Sequence, residues 1–262
     1  MSKRYKLPSL FHPKSDECLV IAHRGASAYF PENTMVAFEA ALKMEADMIE
    51  VDVTLSKDGI PVIFHDPQLN AHSSGKGFVS NYTLNELKKL DAGLWFHREF
   101  LGEKIPTLEE VLAFASGKIA LNIEIKPEAV TDETQGGIEE KCIELIREYG
   151  MDNYVLFSSF DYRSLKHLRK LDSKIPVALL YAKFQAGRKS PYELVSTYQA
   201  DAFNCSYTQF TQRRRANLKE HQIPFFIYTI NSKKRMKKLI DAGVSGIFTD
   251  KPDVLKGVIE SH

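Results

Sequence analysis

The chain has 262 residues, 44 % of them hydrophobic and 26 % charged, with a formal net charge of +1. This composition fits an ordinary globular chain that can bury a sizeable core, and the balanced charge gives no global reason to expect nucleic acid or an acidic membrane surface as partner. Cys18, Cys142 and Cys205 are an odd number with no CxxC spacing, which argues against a disulfide framework and a zinc site.

The basic N-terminus lacks the apolar core of a signal peptide, and no stretch reaches transmembrane length. The expectation is a cytoplasmic protein without stable membrane insertion. Cys18 to Ala22 is a continuous apolar run ending at His23-Arg24-Gly25, as a buried parallel strand does when it opens into a loop. Pro31-Glu-Asn-Thr34 supplies a helix entry with Asn33 or Thr34 as N-cap. Met35, Phe38, Ala41 and Leu42 then share one helical face.

Asp47 to Val53 is a second strand, with Ile49, Val51 and Val53 on one side and Glu50 and Asp52 on the other. Asp58-Gly59 suits a two-residue type I′ hairpin, which would place Asp52 opposite His65 unless a bulge shifts the register by one. Glu50, Asp52 and His65 would then converge. Two carboxylates beside an imidazole suit a hard divalent cation next to an acid/base group. A Glu-x-Asp pair by itself is more often a solvated sheet face. Here both His23 and His65 follow apolar runs, at the strand ends where α/β proteins place their chemistry.

Residues 67 to about 105 leave the strand and helix rhythm and read as an insertion over the strand ends, not a separate domain. Within it, Thr83-Leu-Asn-Glu86 is a capping box, and Thr107-Leu-Glu-Glu110 just beyond is another. Alternation then resumes. Strands are expected at Ile119 to Ile125, Tyr154 to Ser158, Pro176 to Tyr181, Asp201 to Cys205, Pro224 to Ile230 and Gly246 to Thr249. Helices lie between them, one opened by Ser190-Pro-Tyr-Glu193. With residues 60–65 taken as the returning arm of a hairpin, eight strands remain, the number of a TIM (β/α)8 barrel, whose usual length is roughly 250 residues. A doubly wound sheet is the rival, disfavoured because no glycine-rich dinucleotide loop follows the first strand. In the barrel Glu50, Asp52, Asn122, Glu124 and Lys126 face inward, which is affordable only if they are paired or bind a cation.

Taken together, His23-Arg-Gly25, Pro31-Glu-Asn-Thr34, Glu50-x-Asp52, Lys57-Asp-Gly59, His65-Asp66, Pro106-Thr-Leu-Glu-Glu110, Asn122-Ile-Glu-Ile-Lys126 and Thr249-Asp250-x-Pro252 resemble the glycerophosphodiester phosphodiesterases. The resemblance spans about residues 19 to 253, in order. It implies one catalytic TIM barrel with a small insertion after His65-Asp66. It further implies a divalent cation held by Glu50, Asp52 and Glu124, a catalytic pair His23 and His65, and phosphate contacts from Arg24 and Lys126. All-oxygen ligands favour Mg²⁺ or Ca²⁺ without choosing between them.

The chemistry is coherent with that set. A phosphodiester is anionic and a poor electrophile, so a catalyst must neutralise its oxygens and manage two proton transfers. One imidazole can deprotonate the attacking hydroxyl while the other protonates the departing alkoxide. Phe160, Tyr228 and Trp95 are candidate walls for the alcohol part, although aromatics are more often core. His72, His97, His167 and His221 read as core or capping groups, and Arg213-Arg-Arg215 and Lys233-Lys-Arg235 as solvated helix faces. Where the family often has Asp-Arg-Thr-Thr, this chain has Asn70-Ala71-His72-Ser73, and Trp-Thr-Val-Asn becomes Tyr228-Thr-Ile-Asn231, which bears on head-group preference. The expected substrate is a small glycerophosphodiester, giving sn-glycerol 3-phosphate and an alcohol. A lysophospholipase D-like activity and a catalytically silent phosphate-binding barrel are the alternatives.

Overall fold

Leu19–His23 (β1) is the apolar run expected at the start of the chain, and it pairs in parallel with Met48–Leu55 (β2) on one side and Gly246–Thr249 (β9) on the other. The computed structural model describes residues 18–262, so the basic N-terminal stretch lies outside the described residues. Between β9 and β2 the sheet continues through Phe225–Tyr228 (β8), Ala202–Ser206 (β7), Val177–Leu180 (β6), Val155–Ser159 (β5) and Ala120–Ile125 (β4). Because β1 also pairs with β2, these eight parallel strands close into a barrel.

The helices between them are Met35–Lys43 (α1), Leu84–Leu87 (α2), Leu108–Ala115 (α3), Ile138–Glu148 (α4), Tyr162–Leu171 (α5), Lys183–Ala186 (α6), Pro191–Tyr198 (α7), Gln212–Glu220 (α8) and Lys233–Asp241 (α9), with Pro252–Glu260 (α10) after β9. The three capping boxes at Thr83, Thr107 and Ser190 all form, each satisfying backbone donors at both its ends. The sequence gives no periodic signal for the four-residue α6, and α10 lies beyond the last expected strand.

Strand alternation divides the core in two. Odd-numbered residues of β2 and β4 (Ile49, Val51, Val53, Leu121, Ile123, Ile125) pack outward against the helices. Ile21, Met48, Ala120, Leu156, Ala178, Ala202, Phe226 and Phe248 fill the barrel interior. Above this apolar floor the inward positions of β2 and β4 turn ionisable. Cys142 and Cys205 are buried and free, and so is Cys18, one residue before β1.

The hairpin register differs from the two-residue turn. Ser56 N donates to Ile60 O at 3.0 Å, leaving Lys57, Asp58 and Gly59 as a three-residue loop with Gly59 at φ +76°. A left-handed glycine in the last loop position is the bulged form of the turn. Leu55 therefore pairs with Pro61 and Val53 with Ile63 in the short strand Pro61–Ile63 (β3). Phe64 N donates to Asp52 O, so Phe64 and not His65 is opposite Asp52. The outer edge of β3 is covered, with Ile63 N donating to Pro106 O and Val62 bridging to Thr107. The insertion has its own apolar centre in Val62, Phe64, Leu69, Val79, Leu87, Ala92 and Ile105.

The basic runs are not uniformly solvated. Arg214 stacks over the Tyr181 ring at 4.1 Å and Arg215 donates to Ala242 O, while Lys233 and Lys234 are exposed.

Candidate active site

Register alone brings the ionisable groups together. His23 is level with Glu50, Glu50 with Asn122, and Asp52 with Glu124, so three adjacent strands present these side chains in two rows at the upper end of the barrel. Carboxylate oxygens of Glu50, Asp52 and Glu124 lie within 4.8 Å of one another. A pocket of about 200 Å³ opens over them, lined by His23, Arg24, Glu50, His65, Asn122 and Glu124 on one side, with Phe160, Leu180, Tyr228 and Phe248 as apolar wall. Phe160 and Tyr228 meet edge to face with centroids 6.1 Å apart.

The chain reverses sharply after β1. Arg24 has φ +57° and Gly25 φ +85°, and a Cβ on Gly25 would lie 2.7 Å from the Ala37 backbone. This turn aims Arg24 N at Glu50 Oε2, 2.9 Å away, and the guanidinium at Glu32 (2.9 Å) and Asp52 (3.3 Å). Lys126 Nζ sits between Glu124 (2.9 Å) and Asp52 (3.2 Å). Asn33 Nδ2 donates to the other Asp52 oxygen at 2.9 Å. Thr34 is the N-cap residue of α1, yet its hydroxyl donates to Pro31 O instead of capping the helix.

The electrostatics follow from burial. Glu50 is pushed well above the usual carboxylate range, first by burial and then by the charges of Asp52 and Glu124, with Arg24 opposing. Burial also raises Glu124, although Lys126 opposes it. Burial works against Asp52 too, but Lys126, Arg24 and His65 outweigh it and hold Asp52 below its ordinary value. Burial opposes the Lys126 charge, and Asp52 and Glu124 overcome it, keeping the ammonium above the ordinary lysine range. Three clustered carboxylates against two side-chain cations suit a further cation of the hard, oxygen-seeking kind. The donor set therefore fits a divalent metal.

Both histidines are backed by an aspartate. His23 Nδ1 lies 2.7 Å from Asp250 Oδ1, just past the end of β9, and Asp250 is held in turn by Ser27 Oγ and Asn231 Nδ2. His65 Nδ1 lies 2.8 Å from the neighbouring Asp66. Burial lowers His65, with Asp52 and Asp66 opposing. Both aspartates stay below their ordinary value despite burial, through their hydrogen bonds to the imidazoles. Such Asp–His pairs fix the ring orientation and leave the other nitrogen for chemistry.

His23, Arg24, Glu50, Asp52, His65, Glu124, Lys126, Phe160 and Tyr228 all lie in this region, whereas Trp95, the other candidate wall, does not line the pocket and packs on His72 instead. His65 reaches it from beyond the end of β3, not from a ladder position facing Asp52. Lys126 is engaged by the carboxylates rather than left open. Asp250, Asn231 and Glu32 lie within the sequence motifs without an assigned role there, Asn33 holds Asp52 rather than capping α1, and only the pairing of β1 with β9 shows why Asp250 belongs beside His23. Of the four histidines read as core or capping groups, His97 accepts from Glu99 N at a 3-10 turn, His221 ends α8 and His167 is nearly buried. His72 departs from that reading, with Nδ1 2.9 Å from Asp66 Oδ2.

The profile of the glycerophosphoryl diester phosphodiesterase family matches residues 23–254. A glycerophosphodiester phosphodiesterase of Caldanaerobacter subterraneus is 40 % identical over 242 residues, covering 92 % of this chain and 97 % of that protein. One from Bacillus subtilis is 36 % identical, covering 94 % and 88 %. Among solved structures, an Oleispira antarctica phosphodiesterase in complex with its product sn-glycerol 3-phosphate superposes with a TM-score of 0.81 at 31 % identity, over 95 % of this chain and 99 % of that one.

Proposed function

Because the chain belongs to the glycerophosphoryl diester phosphodiesterase family, we propose that it hydrolyses glycerophosphodiesters to sn-glycerol 3-phosphate and an alcohol. The barrel and its 67–105 insertion act as one catalytic domain in this reading. The observation that carries it is the convergence of two aspartate-backed imidazoles and a carboxylate triad on one pocket.

Glu50, Asp52 and Glu124 are the residues that would hold Mg²⁺ or Ca²⁺, and the bound ion would supply positive charge to the phosphate oxygens. Arg24 and Lys126 border the same anion site. Arg24 presents a planar fork suited to two oxygens, and Lys126 a point charge. His23 and His65 form the acid/base pair, one taking the proton from the attacking hydroxyl and the other giving one to the departing alkoxide. Asp250 and Asp66 hold the two rings in register for those transfers. Phe160 and Tyr228 border the alcohol part of the substrate. The three free, buried thiols fit a reducing, cytoplasmic setting.

Lysophospholipids are the second substrate class, and they would need an apolar groove on the insertion, where Phe78, Leu94, Trp95 and Leu101 are exposed. Choline release separates the readings, measured with and without EDTA from glycerophosphocholine, which leaves glycerol 3-phosphate, and from lysophosphatidylcholine, which leaves lysophosphatidic acid. His23→Ala and His65→Ala are each expected to lower kcat by roughly 10²–10⁴-fold. Full turnover in EDTA, or in either variant, would overturn the mechanism.

A further inference from the structure

His72 stands at a position the acid/base chemistry does not use, yet two working carboxylates converge on it. Its Nδ1 is 2.9 Å from Asp66 Oδ2 and 3.8 Å from Glu32 Oε1. Asp66 gives its other oxygen to His65 Nδ1 at 2.8 Å. Glu32 gives both of its oxygens to Arg24, at 2.9 and 3.0 Å. A single imidazole thus touches the carboxylate behind His65 and the carboxylate behind Arg24.

We propose that His72 is a positioning residue, a prop that holds Asp66 and Glu32 in place and couples the proton-transfer half of the site to its anion-binding half. The proposal rests on the active-site reading above. Two acidic side chains near one another repel unless something between them offers an N–H or a positive charge. His65 serves one oxygen of Asp66 and Arg24 both oxygens of Glu32, and His72 is the group that lies beside both carboxylates. No aligned hydrogen bond joins His72 Nδ1 to either carboxylate, so the ring acts through the polar edge it sets 2.9 Å from Asp66.

The ring is itself confined. Trp95 meets it edge to face with centroids 4.5 Å apart, and the indole Nε1 is tied to Ala92 O at 2.8 Å. Ser73 Oγ donates to Leu69 O at 2.8 Å and so fixes the turn that carries His72. The groups facing the imidazole are Asp66 from the segment after β3, Glu32 from the β1–α1 loop with Arg24 behind it, and uncharged Trp95 from the insertion. Packing of the insertion is thereby transmitted to His65 through one carboxylate.

The test compares His72→Leu, which keeps bulk and removes both nitrogens, with His72→Gln, which restores an N–H. Glycerophosphocholine turnover is measured alongside the long-range ¹H–¹⁵N spectrum of His65, which reports its tautomer. A loosened orienting group costs on the order of tenfold in kcat. The Leu variant is expected to show that loss with KM little changed and an altered His65 tautomer, and the Gln variant to recover most of it. A His72→Leu protein with wild-type kcat and an unchanged His65 signal would overturn the inference. His65→Ala run in parallel separates the two failures: if it stays active, the active-site reading falls, and if it is dead while His72→Leu is normal, only the role of His72 falls.

Discussion

Replacing Lys126 by methionine isolates what holds three buried carboxylates in one place. The ammonium bridges Glu124 and Asp52, and the side chains are only 9 %, 13 % and 1 % exposed, so the discount for solvent-screened surface pairs does not apply. Breaking a buried pair from one side costs about 3–5 kcal/mol, because the remaining charges lose their partner. For a chain of this size each kcal/mol moves Tm by roughly 2–4 °C, giving a fall of about 6–20 °C for Lys126→Met in EDTA. A divalent cation at a hundred times its Kd returns about 2.7 kcal/mol, or roughly 5–11 °C. Differential scanning calorimetry with EDTA and then with Mg²⁺ or Ca²⁺ reads both numbers. If Lys126→Met melts in EDTA within about 2 °C of the unaltered protein, the bridging ammonium is not what makes the triad tolerable.

Asp250 is held below its ordinary value, so its stabilisation is complete above the unfolded aspartate pKa of about 3.9 and is lost as pH falls through the lower folded value. Asp250→Asn should therefore flatten the stability–pH curve on the acid side, and urea unfolding between about pH 2.5 and 5 measures the slope. Gly25→Ala places a Cβ against the Ala37 backbone at positive φ, and a loss of at least about 2 kcal/mol in the same assay is expected. Unchanged stability would mean that the turn after β1 relaxes freely. Leu69→Ala cuts a fully buried side chain out of the insertion's own core, worth about 2–5 kcal/mol. It should expose residues 67–105 to limited proteolysis and lower kcat, while the cation-induced rise in Tm persists.

What could be read in advance follows the range of the interactions involved. Alternation in Glu50-Val-Asp52 and Asn122-Ile-Glu124 is local, and it fixed which side chains face the barrel axis before any strand pairing was known. The capping boxes are local too, and all three formed. The hairpin failed locally: Asp58-Gly59 is compatible with both a two-residue turn and a bulged three-residue loop, and the choice depends on Ser56, whose hydroxyl accepts from Ile60 N. The partners of His23 and Lys126 are of another kind. Asp250 lies 227 residues away and Asp52 lies 74 from Lys126, and no periodicity encodes which strand ends become neighbours. Closing the barrel decides that.

The two imidazoles are mounted unequally. His23 ends a strand locked between two parallel neighbours, whereas His65 lies past a three-residue arm that leans on a small separate core. Partial opening of that annex would silence one proton relay while leaving the cation cradle and Lys126 assembled on β2 and β4. Such a molecule would still capture phosphate and yet not turn it over. Amide exchange around His65 should accordingly outpace exchange along β1, and catalysis should fade in mild denaturant well before the barrel comes apart.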